Sequence, residues 1–389
     1  MQDRLGLGSV ASGVRLAHAT LLLTVLGGAC EGRIVPESIV ADRVFVIDRE
    51  PGAEMTVEPD RLLFPADSNQ FLLERQPGDI LVSAREGGFL RRVREVSLDG
   101  ESILIATEPA ELTDALLQGD IVHSTATDDK ADWLGGGLSA FASFGNLRFE
   151  GYNVRFHVLQ GQLRFDPDLD VALRIRNARI SQFALVASGQ LDADFEFEIE
   201  TDGEVSYSGY DWLLWTSPPK TFVQMVGSLP VVEVVTLRIG VNFSIAATGS
   251  TDVRMGASAH AQVAAGARYD TGSWERIGDT QLSFIQTVSS DLSVNSVDFV
   301  ASGYVEIQVD FYEAAGPFAG FYPYFGKGTS GLYYGAEGVI GARTDWPFSN
   351  FGIDYTFLDF ACGFDQTIAD CIRNPPTHFS PIPRGRTRH

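Results

Sequence analysis

The chain has 389 residues, of which 44% are hydrophobic, so it is long enough for one large domain or two smaller ones with buried cores. Its formal net charge is −22, which argues against a nucleic-acid partner because phosphate backbones are bound by clustered Lys and Arg. Its 40 Gly and 26 Phe residues favour an aromatic-packed, turn-rich β protein over a helical one.

The first 29 residues have the pattern of an export signal. Arg4 and Arg15 precede or flank a short, mostly apolar run, Leu16–Leu26, and small residues follow it. This run is shorter than the roughly 20 residues that a membrane-spanning helix needs. We therefore predict a signal peptide over residues 1–29 and a linker over residues 30–42. The expected location is the cell envelope, either anchored to the outer membrane or extracellular.

Cys30 ends the segment LLLTVLGGAC, which resembles the lipobox of bacterial lipoproteins. In that family, a Cys that directly follows small residues is acylated and becomes the mature N-terminus. The resemblance implies that Cys30 carries a lipid anchor and that a membrane is a partner of the protein. Leu26 lies four residues before the Cys, whereas the family prefers a Leu three residues before it. Simple cleavage after Ala29 therefore remains open.

The other two cysteines, Cys362 and Cys371, lie nine residues apart near the C-terminus. In an oxidising compartment this spacing suits a surface disulfide. Pairing them leaves Cys30 as the odd cysteine, which lipidation would account for.

Residues 43–124 are predicted to form a small β-barrel-like module. Short apolar runs separated by Gly-containing turns, at about ten-residue spacing, are typical of a small barrel or sandwich. Within this module, Thr107 can cap a single helix that Gly119 ends. A charged segment that starts at Thr125 predicts a linker over residues 125–145.

Residues 146–373 are predicted to form a large antiparallel β domain, a sandwich or a curved sheet, followed by a disordered tail over residues 374–389. In Leu191–Glu200, apolar residues alternate with carboxylates, which gives a strand one apolar and one acidic face. Strand follows strand without intervening helices, so the sheet should be antiparallel. Arg155 and Arg164 on neighbouring strands should form ion pairs across to the acidic face.

An aromatic segment provides the best candidate binding residues, Tyr210, Trp212 and Trp215. We predict that Gly209–Lys220 is a loop closed by two prolines, in which these rings form a platform for a carbohydrate or enter a lipid interface. Core packing of at least one Trp is an equally weighted alternative.

Asp166, Asp168 and Asp170 are candidate metal ligands. Their carboxylates would suit Ca²⁺, which takes six to eight oxygen ligands, but the segment lacks the Gly and the distal Glu of an EF-hand. An Asp-rich turn is the favoured interpretation. No other cofactor is expected.

These patterns favour an exported, lipid-anchored bacterial surface protein with a binding or structural role over an enzyme. Two alternatives remain. Leu173–Glu200 resembles strands of periplasmic lipid-handling proteins of the AsmA type, which implies a lipid carrier whose open sheet cradles acyl chains on Leu185, Phe195 and Phe197. A carbohydrate-active enzyme would need two carboxylates about 5–10 Å apart in a cleft, and the sequence selects no pair.

Overall fold

The protein is built almost entirely from β-strands. The computed structural model describes residues 38–49, 54–124, 140–151, 153–278, 281–285, 297–312, 316–328, 331–342 and 354–363. The signal peptide, Cys30, Cys371 and the tail lie outside these residues, as do most of the two predicted linkers.

The first part of the chain has short strands, one α-helical turn and three 3₁₀ turns. The strands and the helix are β1 (Ile39–Val40), β2 (Val44–Val46), β3 (Thr56–Glu58), β4 (Arg61–Pro65), β5 (Ile80–Ser83), β6 (Phe89–Asp99), β7 (Ser102–Pro109), α1 (Leu112–Ala115) and β8 (Leu116–Ser124). The 3₁₀ turns are Ile47–Arg49, Ala66–Ser68 and Gln70–Glu74.

The second part has mostly long strands. They are β9 (Ala140–Gly151), β10 (Val154–Arg176), β11 (Arg179–Thr201), β12 (Glu204–Thr216), β13 (Lys220–Val226), β14 (Leu229–Thr248), β15 (Thr251–Asp270), β16 (Ser273–Gly278), β17 (Gln281–Ile285), β18 (Val297–Phe311), β19 (Pro317–Gly328), β20 (Gly331–Ala342) and β21 (Asp354–Gly363).

The strands form three sheets. Sheet 1 has the order β1-β8-β10-β11-β15-β16, with β9 also on β10 and β17 also on β15. Sheet 2 has the order β12-β14-β18-β19-β20-β21, with β13 also on β14. The small sheet has the order β2-β5-β6-β7-β4-β3, in which β2 and β5 are parallel. Among the described residues, no sheet closes on itself. The predicted all-β, antiparallel class is confirmed.

The alternation predicted for Leu191–Glu200 is confirmed in β11. Leu191, Phe197 and Ile199 are buried, while the carboxylates between them are partly or fully exposed. β11 pairs with β10 over nearly its whole length, and a one-residue slip would turn every apolar side chain to the solvent. The period-two pattern therefore fixes the register of the two longest strands.

Phenyl rings from sheets 1 and 2 pack against each other and close the main core. Phe156 of β10 stacks on Phe243 of β14, with ring centroids 4.2 Å apart. Phe197 of β11 lies 5.9 Å from Phe299 and 5.0 Å from Phe325 of sheet 2. Such pairs stabilise a core by about 0.5–1.5 kcal/mol beyond the area that they bury. The described sheets therefore form a sandwich.

The small sheet has one core of its own and also contributes to the main core. Nine buried side chains that include Phe64 and Phe89 form its own cluster. Ile80, Val82 and Leu90 belong to the main core instead. β8, the last strand of the predicted small module, pairs with β10 of sheet 1. The division into two domains stays a prediction.

The helix predicted between Thr107 and Gly119 is a single turn, α1, so its predicted extent is wrong. Thr107 lies in β7, where the sheet takes its backbone hydrogen bonds. The turn starts after Glu111, whose backbone N–H donates to Asp114 Oδ2 at 2.8 Å. From Leu116 onward the chain pairs with β1 and β10, because ladder hydrogen bonds and core burial outweigh local helix propensity.

Candidate functional site

The aromatic segment is part of a strand, so the predicted loop over Gly209–Lys220 is too long: only residues 217–219, with the two prolines, connect β12 to β13. β12 continues to Thr216 and contains two bulges, one between Tyr207 and Tyr210 and one between Leu213 and Trp215. Each bulge shifts the alternation, so the segment lacks the regular period of a strand.

The two tryptophans contribute to the main core. Trp212 is partly buried, with its ring centroid 5.8 Å from Phe243 and 6.1 Å from Phe156. Trp215 is partly buried against the same cluster. The side chain of Tyr210 lies outside the described residues. Binding of a carbohydrate or a lipid by these three residues stays a prediction.

Asp166, Asp168 and Asp170 lie within β10, so the predicted turn is wrong. Pro167, between them, occupies a stretch of β10 that neither β8 nor β9 pairs with, and its missing N–H is therefore tolerated. Asp166 Oδ2 accepts a hydrogen bond from Arg164 at 2.8 Å, and Asp170 accepts one from the hydroxyl of Ser124. Same-face neighbours on a strand are about 6.5–7 Å apart, so the three carboxylates do not converge. A Ca²⁺ site at these residues stays a prediction.

Another group of carboxylates does converge. Oxygens of Glu198, Glu200 and Asp252 lie within 4.8 Å of one another on the outer face of sheet 1. Arg155 Nη2 lies 2.9 Å from Glu200 Oε2 and offsets part of this negative charge. The position of Asp252 beside Glu200 could not be predicted from the sequence, because it depends on the pairing of β15 with β11.

The ion pair predicted for Arg155 across to the acidic face is confirmed, whereas Arg164 pairs with Asp166 of its own strand. Arg155 contacts Glu200 directly across the β10–β11 pair, and Arg254 Nη2 lies 2.6 Å from Glu196 Oε1. His260 contacts Asp192 from β15. These side chains are exposed, so each pair contributes only about 0.2–1 kcal/mol. The face is a solvated charge ladder, not a cleft of the kind that a glycoside hydrolase requires.

A buried polar cluster that the sequence does not predict lies between the two large sheets. Glu233 of β14 is 1% exposed, and its Oε2 lies 3.0 Å from Nδ1 of His123 on β8. Gln224 donates to its other carboxylate oxygen. The ring of His123 lies 4.1 Å from that of Phe222 in an edge-on contact. The signal in the sequence is an acid inside an apolar strand, in VVEVV at residues 231–235, since a buried carboxylate needs a partner.

Two buried tyrosines, Tyr312 and Tyr333, have raised pKa values. Burial, and then the charge of Asp298, raises the pKa of Tyr333 to about 12. Burial also raises the pKa of Tyr312, whose hydroxyl donates to the carbonyl oxygen of Pro230 at 2.5 Å. A charged phenolate loses hydration when it is buried, so both rings remain neutral at physiological pH and act as hydrogen-bond donors or packing groups.

The apolar face expected to cradle a lipid is covered. Leu185 and Phe197 are buried in the core that sheets 1 and 2 share, and Phe195 is only partly exposed. The ring of Phe195 lies over Gly303 of β18, where an added Cβ would approach the ring to 2.4 Å. Phe195, Phe197 and Phe325 line a small apolar cavity between the sheets. The predicted open cradle at Leu185, Phe195 and Phe197 is therefore wrong. The lipid-carrier alternative loses the observation that would have favoured it.

Cys362 lies on the last described strand and is fully buried. Its neighbour across the β20–β21 pair is Tyr334. The predicted surface position is therefore wrong for Cys362, and its pairing with Cys371 stays a prediction.

Compared with known proteins, the chain matches no family model, no curated protein sequence and no solved structure. Among the described residues, no helix is long and apolar enough to span a membrane.

Proposed function

We propose that this protein is an exported, lipid-anchored protein of the bacterial envelope with a binding or structural role. The observation that carries the proposal is LLLTVLGGAC, in which an apolar run and small residues lead directly to Cys30. Ser38, the first described residue, is eight residues beyond Cys30. At about 3.6 Å per residue, the intervening chain reaches at most about 29 Å. An acyl group on Cys30 would hold the sandwich close to the bilayer.

A binding or structural role is supported by the way the candidate chemical groups are used. Trp212 and Trp215 pack on the core, and His123 and Glu233 pair with each other between the sheets. The carboxylates of the outer face are engaged in exposed ion pairs. These groups stabilise the sandwich. Partners would therefore contact the outer surfaces of its strands.

Acylation can be tested directly in cells. The full chain is expressed in a Gram-negative host with an alkyne-labelled fatty acid, and its intact mass is measured after detergent extraction. We expect a chain that starts at Cys30 and carries acyl groups. Cys30→Ala should lose the label, and the matched control Cys371→Ala should keep it. An unacylated chain that starts after Ala29 would refute the anchor.

The same samples test the disulfide. The parent chain should gain the mass of two hydrogen atoms when its disulfide is reduced to two thiols, and Cys371→Ala should not. An unchanged parent mass would refute the pairing of Cys362 with Cys371 and leave the acylation result unaffected.

A further inference from the structure

Most of the exposed large apolar side chains lie along one side of the sandwich. Eight such side chains are exposed among the described residues, and Met225 (59%) and Val122 (58%) are among the most exposed. Six of the eight lie on edge strands of sheets 1 and 2: Ile39, Val122, Phe141, Leu213, Val223 and Met225. The other two, Leu73 and Leu98, lie in the part of the chain that forms the small sheet. Scattered apolar residues are normal on a surface, whereas an aligned set marks an interaction site.

The six residues line the junction at which the edges of the two large sheets meet. β8 and β9 form one edge of sheet 1, and β12 and β13 form the facing edge of sheet 2. The ring of His123 contacts that of Phe222, and a Cβ added to Gly119 would lie 2.7 Å from a methyl carbon of Val226. These two contacts show that β8 and β13 run antiparallel beside each other. We call this junction, with its six exposed apolar residues, the seam.

The contacts place the apolar side chains of the seam on its outer side. His123 and Phe222 point inward, so their neighbours Val122 and Val223 point outward and lie opposite each other. Met225 shares the outer face of Val223 because it follows two residues later on the same strand. The centre of the seam therefore exposes three apolar side chains, Val122, Val223 and Met225, on the outer faces of two neighbouring strands.

The seam continues beyond this centre. Val122 pairs with Ala172 of β10, and Phe141 pairs with Arg164, eight residues earlier on the same strand. At about 3.3 Å per residue, Phe141 lies roughly 26 Å further along. Leu213 of β12 is exposed on the facing edge. Between these two positions the same face of β10 carries Asp166, Asp168 and Asp170, so Phe141 and Leu213 form a distal pair that is separate from the apolar centre.

The chain enters the fold at this seam. Ile39 pairs with Gln118 of β8, and a Cβ added to Gly227, after β13, would lie 3.0 Å from Cβ of Ser38. Cys30 is eight residues upstream of Ser38, so an acyl group on it would lie within about 29 Å of the seam. A tether of this length brings the seam, rather than the far end of the sandwich, to the bilayer.

Charge limits the contact to the centre of the seam. Arg174 and Arg176, at the seam end of β10, share Asp120, with nitrogen–oxygen distances of 3.1 and 2.7 Å. Arg179 is exposed at the start of β11. At the other end, Arg164, the neighbour of Phe141, lies opposite Asp192, the first carboxylate of the acidic face of β11. Basic side chains near an anionic bilayer surface gain about 1 kcal/mol each, so the centre of the seam, and not the end at Phe141, suits contact with the bilayer.

We propose that the centre of the seam, which exposes Val122, Val223 and Met225, is a membrane-contact surface that lies against the phospholipid bilayer. This proposal rests on the lipid anchor of the proposed function. The acyl group supplies the attachment. The apolar side chains at the centre of the seam set the orientation of the sandwich by entering the boundary between headgroups and acyl chains.

The test uses the full acylated protein in vesicles of phosphatidylethanolamine and phosphatidylglycerol. A polarity-sensitive dye is attached to Val223→Cys and, as a matched control, to Leu98→Cys, an exposed apolar position outside the seam. We expect a blue-shifted emission and several-fold stronger quenching by brominated lipid for the dye at position 223. Val122→Cys serves as a second seam position, and the unsubstituted protein gives the labelling background.

Each outcome separates the two proposals. Protein that floats with the vesicles but shows equal emission and quenching at positions 223 and 98 would overturn the seam as the contact surface and leave the anchor intact. Protein that does not float with the vesicles would overturn the anchor and, with it, the seam proposal.

Discussion

Replacing His123 with Phe tests whether the buried polar cluster holds the two large sheets together. Glu233 is 1% exposed, so water cannot replace the lost partner of its carboxylate. Gln224 remains as a donor, and the side chain of His123 is itself 13% exposed. Breaking a fully buried pair costs about 3–5 kcal/mol, and the partial exposure of His123 lowers our expectation to about 2–4 kcal/mol for His123→Phe.

The measurement is urea unfolding followed by tryptophan fluorescence, with Glu233→Leu and the double variant completing a mutant cycle. The double variant should be more stable than His123→Phe alone, because it no longer buries a carboxylate without its partner. A loss below about 0.5 kcal/mol for His123→Phe, or purely additive effects in the double variant, would refute the reasoning. The slope of the unfolding free energy against urea should stay constant, which confirms that the comparison concerns the folded state.

Gly240→Ala should lower the free energy of unfolding by about 1–3 kcal/mol, because its Cβ would lie 2.2 Å from the ring of Tyr304 on the paired strand. Adding Tyr304→Ala should remove most of the steric part of this loss, as measured by urea unfolding. Stability should fall as the pH rises from about 10 to about 12, because burial and then Asp298 raise the pKa of Tyr333 to about 12 and the unfolded chain ionises first. Tyr333→Phe should make this decline shallower in urea unfolding at stepped pH, and an unchanged slope would contradict the assignment. Arg254→Ala should cost less than about 0.5 kcal/mol by the same measurement, since its ion pair is exposed.

The sequence predicts features that repeat locally with a regular period. The alternation in Leu191–Glu200 specifies both the strand and its acidic outer face, and the placement of Arg155 against that face follows from pairing neighbouring strands. The absence of long helical patterns between strands is enough to predict an antiparallel, all-β protein. These properties depend on nearest neighbours along the chain and across one strand pair.

Features that depend on irregular strands or distant residues could not be predicted. The bulges of β12 break the alternation around Trp212, so a strand has the pattern of a loop. Pro167 predicts a turn unless it is known that neither β8 nor β9 pairs with that part of β10. His123 and Glu233 are 110 residues apart in sequence, and only the stacking of two sheets brings them together. The location of the seam requires the same knowledge of which edges face each other.

The sharing of one core between early and late strands determines the order in which the chain can fold. The small sheet can bury its own cluster once β7 has been made, but Ile80, Val82 and Leu90 lack their covering until β14 follows. Chains emerge from the ribosome N-terminus first, and contacts between distant segments form slowly. The apolar face of the small sheet therefore stays uncovered through much of synthesis. For the exported chain proposed above, this delay favours passage through the membrane in an unfolded state, with the sandwich completed on the far side.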